Sequence, residues 1–140
     1  MKIIQPVNKY SISLPFFSHS VRAGFPSPAD DYLEQALDLN EHVIQHPAAT
    51  YYVRAQGDSM LELGIHDGDL LVVDRALEPV DGDIVIAALD GELTCKIIDM
   101  KRRRLLSGND LFPPIELGED AELIIEGVIT HSIRYHRCSP

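Results

Sequence analysis

From residue 50 onward the chain alternates between short apolar runs and clusters of Gly, Asp and Pro, the pattern of β-strands joined by tight turns. "TYYVRAQ" (50–56) reads as the first strand of this series. "DGDLLVVD" (67–74) and "DGDIVIAAL" (81–89) share one design, an Asp-Gly-Asp turn followed by β-branched and aliphatic residues. In such a turn the glycine accepts positive φ and the aspartates bind nearby backbone N–H groups. Asp90-Gly91 is a two-residue hairpin signal that joins residues 83–89 to "ELTCKIID" (92–99). "AELIIEGVITHSIRYH" (121–136) predicts a last long strand pair with a break at Gly127.

The first fifty residues carry a different pattern. Across residues 1–26 the hydrophobic positions have no period, and Pro6, Pro15 and Pro26 interrupt any long element, which predicts an extended arm of low intrinsic order. Ser27 suits a helix cap, Pro28 a first helical position, and Asp30 and Asp31 the positive helix end. Tyr32, Leu33, Ala36 and Leu37 then recur at helical spacing, so a short helix is expected there. Asp38 or Asn40 caps a second short helix with Val43 and Ile44 turned inward, and His46-Pro47 ends it. The expected architecture is a small, mostly β domain of curved or barrel-like sheets with one or two short helices, behind a mobile N-terminal arm.

Composition narrows the classes of function. A length of 140 residues with 45% hydrophobic positions is ordinary for one soluble domain with an arm. The formal net charge of −10 repels phosphate backbones, so no direct DNA binding is expected. The basic run Lys101-Arg102-Arg103-Arg104 reads as a solvated turn or strand edge. No apolar run reaches the roughly 18–20 residues that a membrane span requires. The segment "MKIIQPVNKYSISLPFF" has no continuous apolar core and is a poor secretion signal, so a cytoplasmic protein is expected. Two cysteines, Cys95 and Cys138, form neither a disulfide framework nor a metal-ligand spacing. Cys95 reads as a small hydrophobe in a strand, Cys138 as a free thiol in the tail. The Asp-rich turns lack the regular spacing of a Ca²⁺ loop. No metal and no cofactor is expected.

The candidate chemistry lies in "AQGDSM" (55–60), where a serine follows a glycine turn at the end of a predicted strand. Ser59 there is either a plain turn residue or a nucleophile, and a nucleophile needs a base. The six histidines (His19, His42, His46, His66, His131 and His136) lack a distinctive setting with an orienting acid. Lys96 is the better base. On an alternating strand it shares a face with Glu92, Thr94 and Ile98, while Leu93, Cys95 and Ile97 share the other. A lysine near the middle of a strand is either a snorkelling surface residue or a desolvated amine, and Ser–Lys is an alternative to the Ser–His–Asp triad. Desolvation disfavours the ammonium form and so lowers a pKa that is about 10.4 in water. Arginine cannot substitute, because it does not lose its proton.

In chain order, "GDSM" (57–60), "GIHDGDLLVVD" (64–74), "GDIVIAALDGE" (82–92) and "TCK" (94–96) resemble the LexA/UmuD group of self-cleaving serine–lysine proteins. The separation of 37 positions between Ser59 and Lys96 fits as well. "GFPSPADDYLEQALDLNEHVIQHPAATYYV" (24–53) is similar to the UmuD subgroup, the accessory subunits of SOS-induced translesion DNA polymerases. The likeness runs from about residue 14 to residue 136. It implies that Ser59 is the nucleophile and Lys96 its general base. The backbone N–H groups of Asp58 and Ser59 would be the oxyanion donors, held by the turn around Gly57, with Met60 packed beneath. The implied target is the Ala23-Gly24 bond in "VRAGFPSP", whose small residues leave room for attack. Cleavage would remove an arm of residues 1–23 and leave residues 24–140 as the LexA-type protease domain. The implied partners are a second copy in a homodimer, the RecA filament on single-stranded DNA as accelerator, and the catalytic subunit of an error-prone, UmuC-like polymerase. The implied setting is the SOS response.

The resemblance has two departures: Cys95 stands where relatives often have valine, and the tail "HRCSP" has no assigned role. Three rival readings remain. A LexA- or phage-type repressor requires a DNA-binding module before the cleavage site, and residues 1–23 show no helix–turn–helix pattern. A signal peptidase uses the same residue pair but needs an anchoring span. A non-catalytic polymerase-binding subunit would carry an idle Ser–Lys pair.

Overall fold

The computed structural model describes residues 11–17 and 33–137, which divide into two compact units. The smaller consists of residues 11–17 and 33–45, the larger of residues 46–137.

In the smaller unit β1 (Ser13–Phe17) pairs antiparallel with β2 (Leu33–Asp38), Ser13 opposite Asp38 and Leu14 opposite Leu37. A five-residue helix, α1 (Leu39–Val43), follows directly. Asp38 caps it, its Oδ1 accepting from the N–H of Asn40 at 3.0 Å. The hydroxyl of Ser11 donates to Asp38 Oδ2 at 3.0 Å, and this bond is the largest influence holding the carboxyl below its usual range. The second expected helix and its Asp38 cap are thus present. The first is corrected: Leu33, Ala36 and Leu37 lie in a strand. A spacing of four residues is even, so Leu33 and Leu37 satisfy the period of a strand as well as that of a helix. Pairing with β1 decides between them, and it also makes residues 13–17, read as part of a featureless arm, a strand. The expected helix start at residues 27–32 lies outside the described residues.

The larger unit is a seven-stranded antiparallel sheet. Its strands are β3 (Thr50–Arg54), β4 (Leu70–Asp74), β5 (Ile84–Leu89), β6 (Glu92–Asp99), β7 (Arg104–Leu106), β8 (Ile115–Glu116) and β9 (Leu123–Ile133). Across the sheet they run β3-β4-β9-β5-β6-β7-β8, so the last strand inserts between the β3–β4 and β5–β6 hairpins. β3 and β8 stand at opposite edges, and the sheet is open rather than a closed barrel. β5 explains why "IVIAAL" is apolar at every position: alternate residues enter two different cores. Ile84 and Ile86 join Met60, Ile65, Leu71 and Val73, whereas Val85 and Ala87 join Ile98, Leu105 and Val128. Asp90 and Gly91 have φ of 49° and 85°, the paired positive values of a two-residue hairpin turn between Leu89 and Glu92.

The expected strand pair at residues 121–136 is one strand of 11 residues. β9 accommodates two neighbours by bulging twice. Its register against β5 skips Glu126 and its register against β4 skips Thr130. An extra residue bends and twists a strand. The carbonyl of Glu126, left out of the ladder, accepts from the Tyr51 hydroxyl at 2.9 Å. Gly127 marks this bend rather than a chain reversal, because a Cβ there would lie 2.5 Å from Val73 Cγ1. Gly127→Ala is therefore expected to lower the urea-unfolding free energy by about 1–3 kcal/mol through overpacking. In a Val73→Ala background the same substitution should cost distinctly less. An equal cost in both backgrounds would show that Val73 is not the obstacle.

Candidate functional site

Ser59 lies on the connection between β3 and β4, residues 55–69, which is tied at its base. Ala55 N–H donates to the Asp69 carbonyl and Gly68 N–H to the Ala55 carbonyl, both at 2.8 Å, so the ladder runs past the strand ends. Gly57, at φ 89°, turns the chain, and its N–H donates to Asp67 Oδ1 at 2.8 Å. Met60 and Ile65 are buried in the core that contains Leu71, so the loop is pulled inward on either side of a short 3-10 turn at Leu61–Leu63. Ser59 is half-buried between exposed Asp58 and buried Met60.

The returning arm of the same loop is held by ionic contacts. The Asp69 carboxylate, 2% exposed, accepts from His66 N–H at 2.9 Å and from the Arg134 guanidinium. Burial pushes this carboxyl up, and Arg134 with the His66 N–H outweighs it, leaving the group below its usual range. Arg134 also donates to the Gly64 carbonyl and meets His66 Nδ1, while the guanidinium of Arg54 lies 5.6 Å over the Tyr135 ring.

Lys96 is on β6, opposite Val85 of β5. Only Ile97–Asp99 of β6 pair with β7, so at Lys96 the strand has a neighbour on one side alone. The alkyl stem leaves on the face of Val85 and Ile98. The amine reaches Ser59 Oγ at 3.0 Å and the Cys95 carbonyl at 3.2 Å. The free strand edge gives the side chain room for that path. Burial lowers the Lys96 pKa from its ordinary value, opposed by the neighbouring Cys95. Burial likewise pushes the Cys95 thiol up to about 11, so its sulfur is a packed, protonated group.

Ser59 and Lys96 open on a cavity of about 470 Å³. Asp58 and Gly57 line it beside them, buried Leu71 and Ile86 form its inner wall, and exposed Leu93 and Phe112 stand at its mouth. A hydroxyl 3.0 Å from an amine can hand its proton over directly. The apolar wall favours the uncharged amine that such a transfer needs.

Other residues singled out from sequence fall elsewhere. His46 Nδ1 lies 2.6 Å from buried Asp74, His131 is beside Thr130, and no described histidine lines the cavity. Lys101, Arg102 and Arg103 make the exposed turn between β6 and β7, and Arg104 pairs with Asp99 at 2.9 Å. The turn aspartates bind backbone, Asp83 taking Val80 N–H and Asp81 taking Met100 N–H. Ala23, Gly24, His19 and Cys138 lie outside the described residues. The segment "SGNDLFPP" (107–114) brings Asn109 and Phe112 to the site without a motif that marks it as functional. Its signal was present as a Gly-Asn-Asp turn followed by Pro-Pro, but nothing in those letters tells which loop the turn will touch. No helix among the described residues is long and apolar enough to cross a membrane.

Comparison with known proteins agrees with the likeness expected from the motifs. The protein SamA of Salmonella typhimurium is 52% identical over 124 residues, 88% of this chain and 86% of SamA. The protein ImpA of the same organism is 48% identical over 123 residues, 88% of this chain and 85% of ImpA. A LexA repressor of Xylella fastidiosa is 41% identical over 119 residues, which are 84% of this chain and 56% of the repressor. The pattern of the Peptidase S24-like family matches residues 15–130, from β1 to within β9 and across the whole cavity, and the chain belongs to that family.

Proposed function

We propose that this chain is a serine endopeptidase that cleaves its own Ala23-Gly24 bond with Ser59 as nucleophile and Lys96 as general base. The observation that carries the reading is the 3.0 Å approach of a partly desolvated lysine amine to a serine hydroxyl on the wall of a cavity. In the reaction the neutral amine takes the hydroxyl proton as Oγ bonds to the Ala23 carbonyl carbon. The resulting oxyanion faces the N–H groups of Ser59 and Asp58. Collapse breaks the C–N bond, the ammonium returns its proton to the Gly24 nitrogen, and water then releases Ala23 from the serine ester. The products are residues 1–23 and 24–140. Enzyme and substrate share one chain, so their effective concentration is high, and docking of the cleavage segment becomes the controlling step. A RecA filament on single-stranded DNA would accelerate cleavage by favouring the docked, desolvated state, a shift of population rather than a gift of catalytic groups.

The shortened protein then serves, on this reading, as a cytoplasmic homodimeric accessory subunit of an error-prone, UmuC-like polymerase in the SOS response. The support is the ordered set of motifs shared with the LexA/UmuD group, together with membership of a peptidase family. A binding subunit with an idle Ser–Lys pair makes the same partners but never a Gly24 N-terminus. Incubating purified protein, with and without RecA filaments, and reading products by mass spectrometry separates the two.

Ser59→Ala, Lys96→Ala and Lys96→Arg are each expected to stay folded by circular dichroism and to yield no residue 24–140 fragment, arginine failing because it keeps its proton. Processing of either lysine variant at the native rate would remove Lys96 from the mechanism. Cleavage should also depend on pH. Because burial lowers the Lys96 pKa, the neutral fraction grows as pH rises towards that value, about tenfold per unit, and then levels off below the ordinary lysine value of about 10.4. A rate independent of pH between about 7 and 10 would contradict a lysine base titrating in that range.

A further inference from the structure

The loop of residues 107–112 is sewn to the segment that carries Ser59. Glu62 N–H donates to the Gly108 carbonyl at 2.6 Å, and Gly108 N–H donates to the Met60 sulfur at 3.4 Å. The approach is close, since a Cβ at residue 108 would meet Leu63 Cγ at 3.0 Å and the Met60 Cα at 3.2 Å. Next in the chain, Asn109 donates from Nδ2 to the Asp58 carbonyl at 2.9 Å. The other end of the same amide is also engaged, Oδ1 accepting from Leu111 N–H at 3.0 Å. Donor and acceptor are both used, so the amide has one orientation that satisfies both bonds.

The carbonyl held by Asn109 belongs to the Asp58–Ser59 peptide. That unit is planar and trans, since no described peptide bond is cis, and its C=O and N–H therefore point in opposite directions. Holding the Asp58 oxygen against the 107–112 loop turns the Ser59 N–H away from it. Leu61 N–H reaches the same oxygen at 3.3 Å, a longer bond within the turn itself. Among the described residues the Ser59 N–H meets no acceptor in the protein, although Ser59 and Asp58 both line the cavity.

We infer that Asn109 is a positioning residue for the cleavage reaction, fixing the plane of the Asp58–Ser59 peptide so that the Ser59 N–H is aimed at the developing oxyanion. The inference rests on the reading of Ser59 as nucleophile. Asn109 acts through the peptide and touches no reacting atom. Electrostatic stabilisation by a donor depends on its being pointed in advance at the charge that forms, and removal of a whole oxyanion donor costs about 10²–10³ in rate. A donor left in place but free to swing loses part of that effect.

Two variants test this. Asn109→Ser keeps a hydroxyl that can accept from Leu111 N–H and so preserves the local turn, but it is too short to reach the Asp58 carbonyl. Asn109→Ala removes both bonds. Each is expected to cleave about 10- to 100-fold more slowly than the native chain, with the midpoint of the pH–rate profile unmoved because the surroundings of Lys96 are intact. The Ser59 amide signal in a ¹⁵N–¹H spectrum should shift, while signals from the middle of β5 stay in place. Native-rate cleavage by Asn109→Ser would overturn the inference. A slower rate accompanied by a profile displaced to higher pH would overturn it too, since that is the signature of a site opened to water and of a merely structural asparagine. If the native chain itself does not cleave, the proposed function fails on its own. The Ser59 amide then decides for Asn109: a shifted signal in Asn109→Ser supports its hold on the peptide plane, and an unshifted one refutes it.

Discussion

The approach of the Lys96 amine to the Ser59 hydroxyl makes two opposed demands on the protein. For the proposed reaction the amine has to be dry enough to give up its proton, yet the hydroxyl has to stay open to an incoming chain. The fold meets both by drawing the two groups from different kinds of structure. The lysine comes from a strand whose neighbour on one side is missing at that position, and the serine comes from a loop pinned to the core by the residue that follows it. The apolar wall of Leu71 and Ile86 supplies the desolvation, and the cavity beside it supplies the opening.

Drying a lysine has a thermodynamic consequence. The unfolded chain presents Lys96 to water, where its pKa is the ordinary one; the folded chain holds it lower. Between these two values the unfolded state binds more protons, so stability rises with pH across that window, and below both values the cost of burial is carried in full. The cores around β5 and the anchored loop offset it. The largest fully buried side chains, Leu71 and Leu105, belong to the two separate cores, one on each side of the same strand. The polar anchors sit on the returning arm of the serine loop: the Asp69 carboxylate under Arg134 and the Asp67 carboxylate on the Gly57 N–H.

Where sequence and structure part, the reasons are specific. Leu33 and Leu37 are four apart, a spacing that both periods accept, so only the presence of β1 makes their segment a strand. Gly127 looked like a break because isolated glycines interrupt strands. It is instead the point where β9 passes too close to Val73 for any side chain, between two bulges that let one strand serve two hairpins. β7 and β8 are three and two residues long, too short to show a period.

What the sequence determined by itself is local: turns at Asp-Gly pairs, the strands between them, the cap at Asp38, and a serine and a lysine in settings that resemble one family. Those features depend on neighbours a few positions apart, and the resemblance on short motifs in a set order. The tertiary structure decided everything that depends on distance through space. It placed Lys96 3.0 Å from Ser59, at a position of β6 that lacks a partner on one side because β7 ends at Leu106. It also brought Asn109 against the Asp58 carbonyl, 51 positions away in the chain. An asparagine in a turn has the same letters around it whether its amide faces water or a peptide bond, and only the packing of one loop against another distinguishes them.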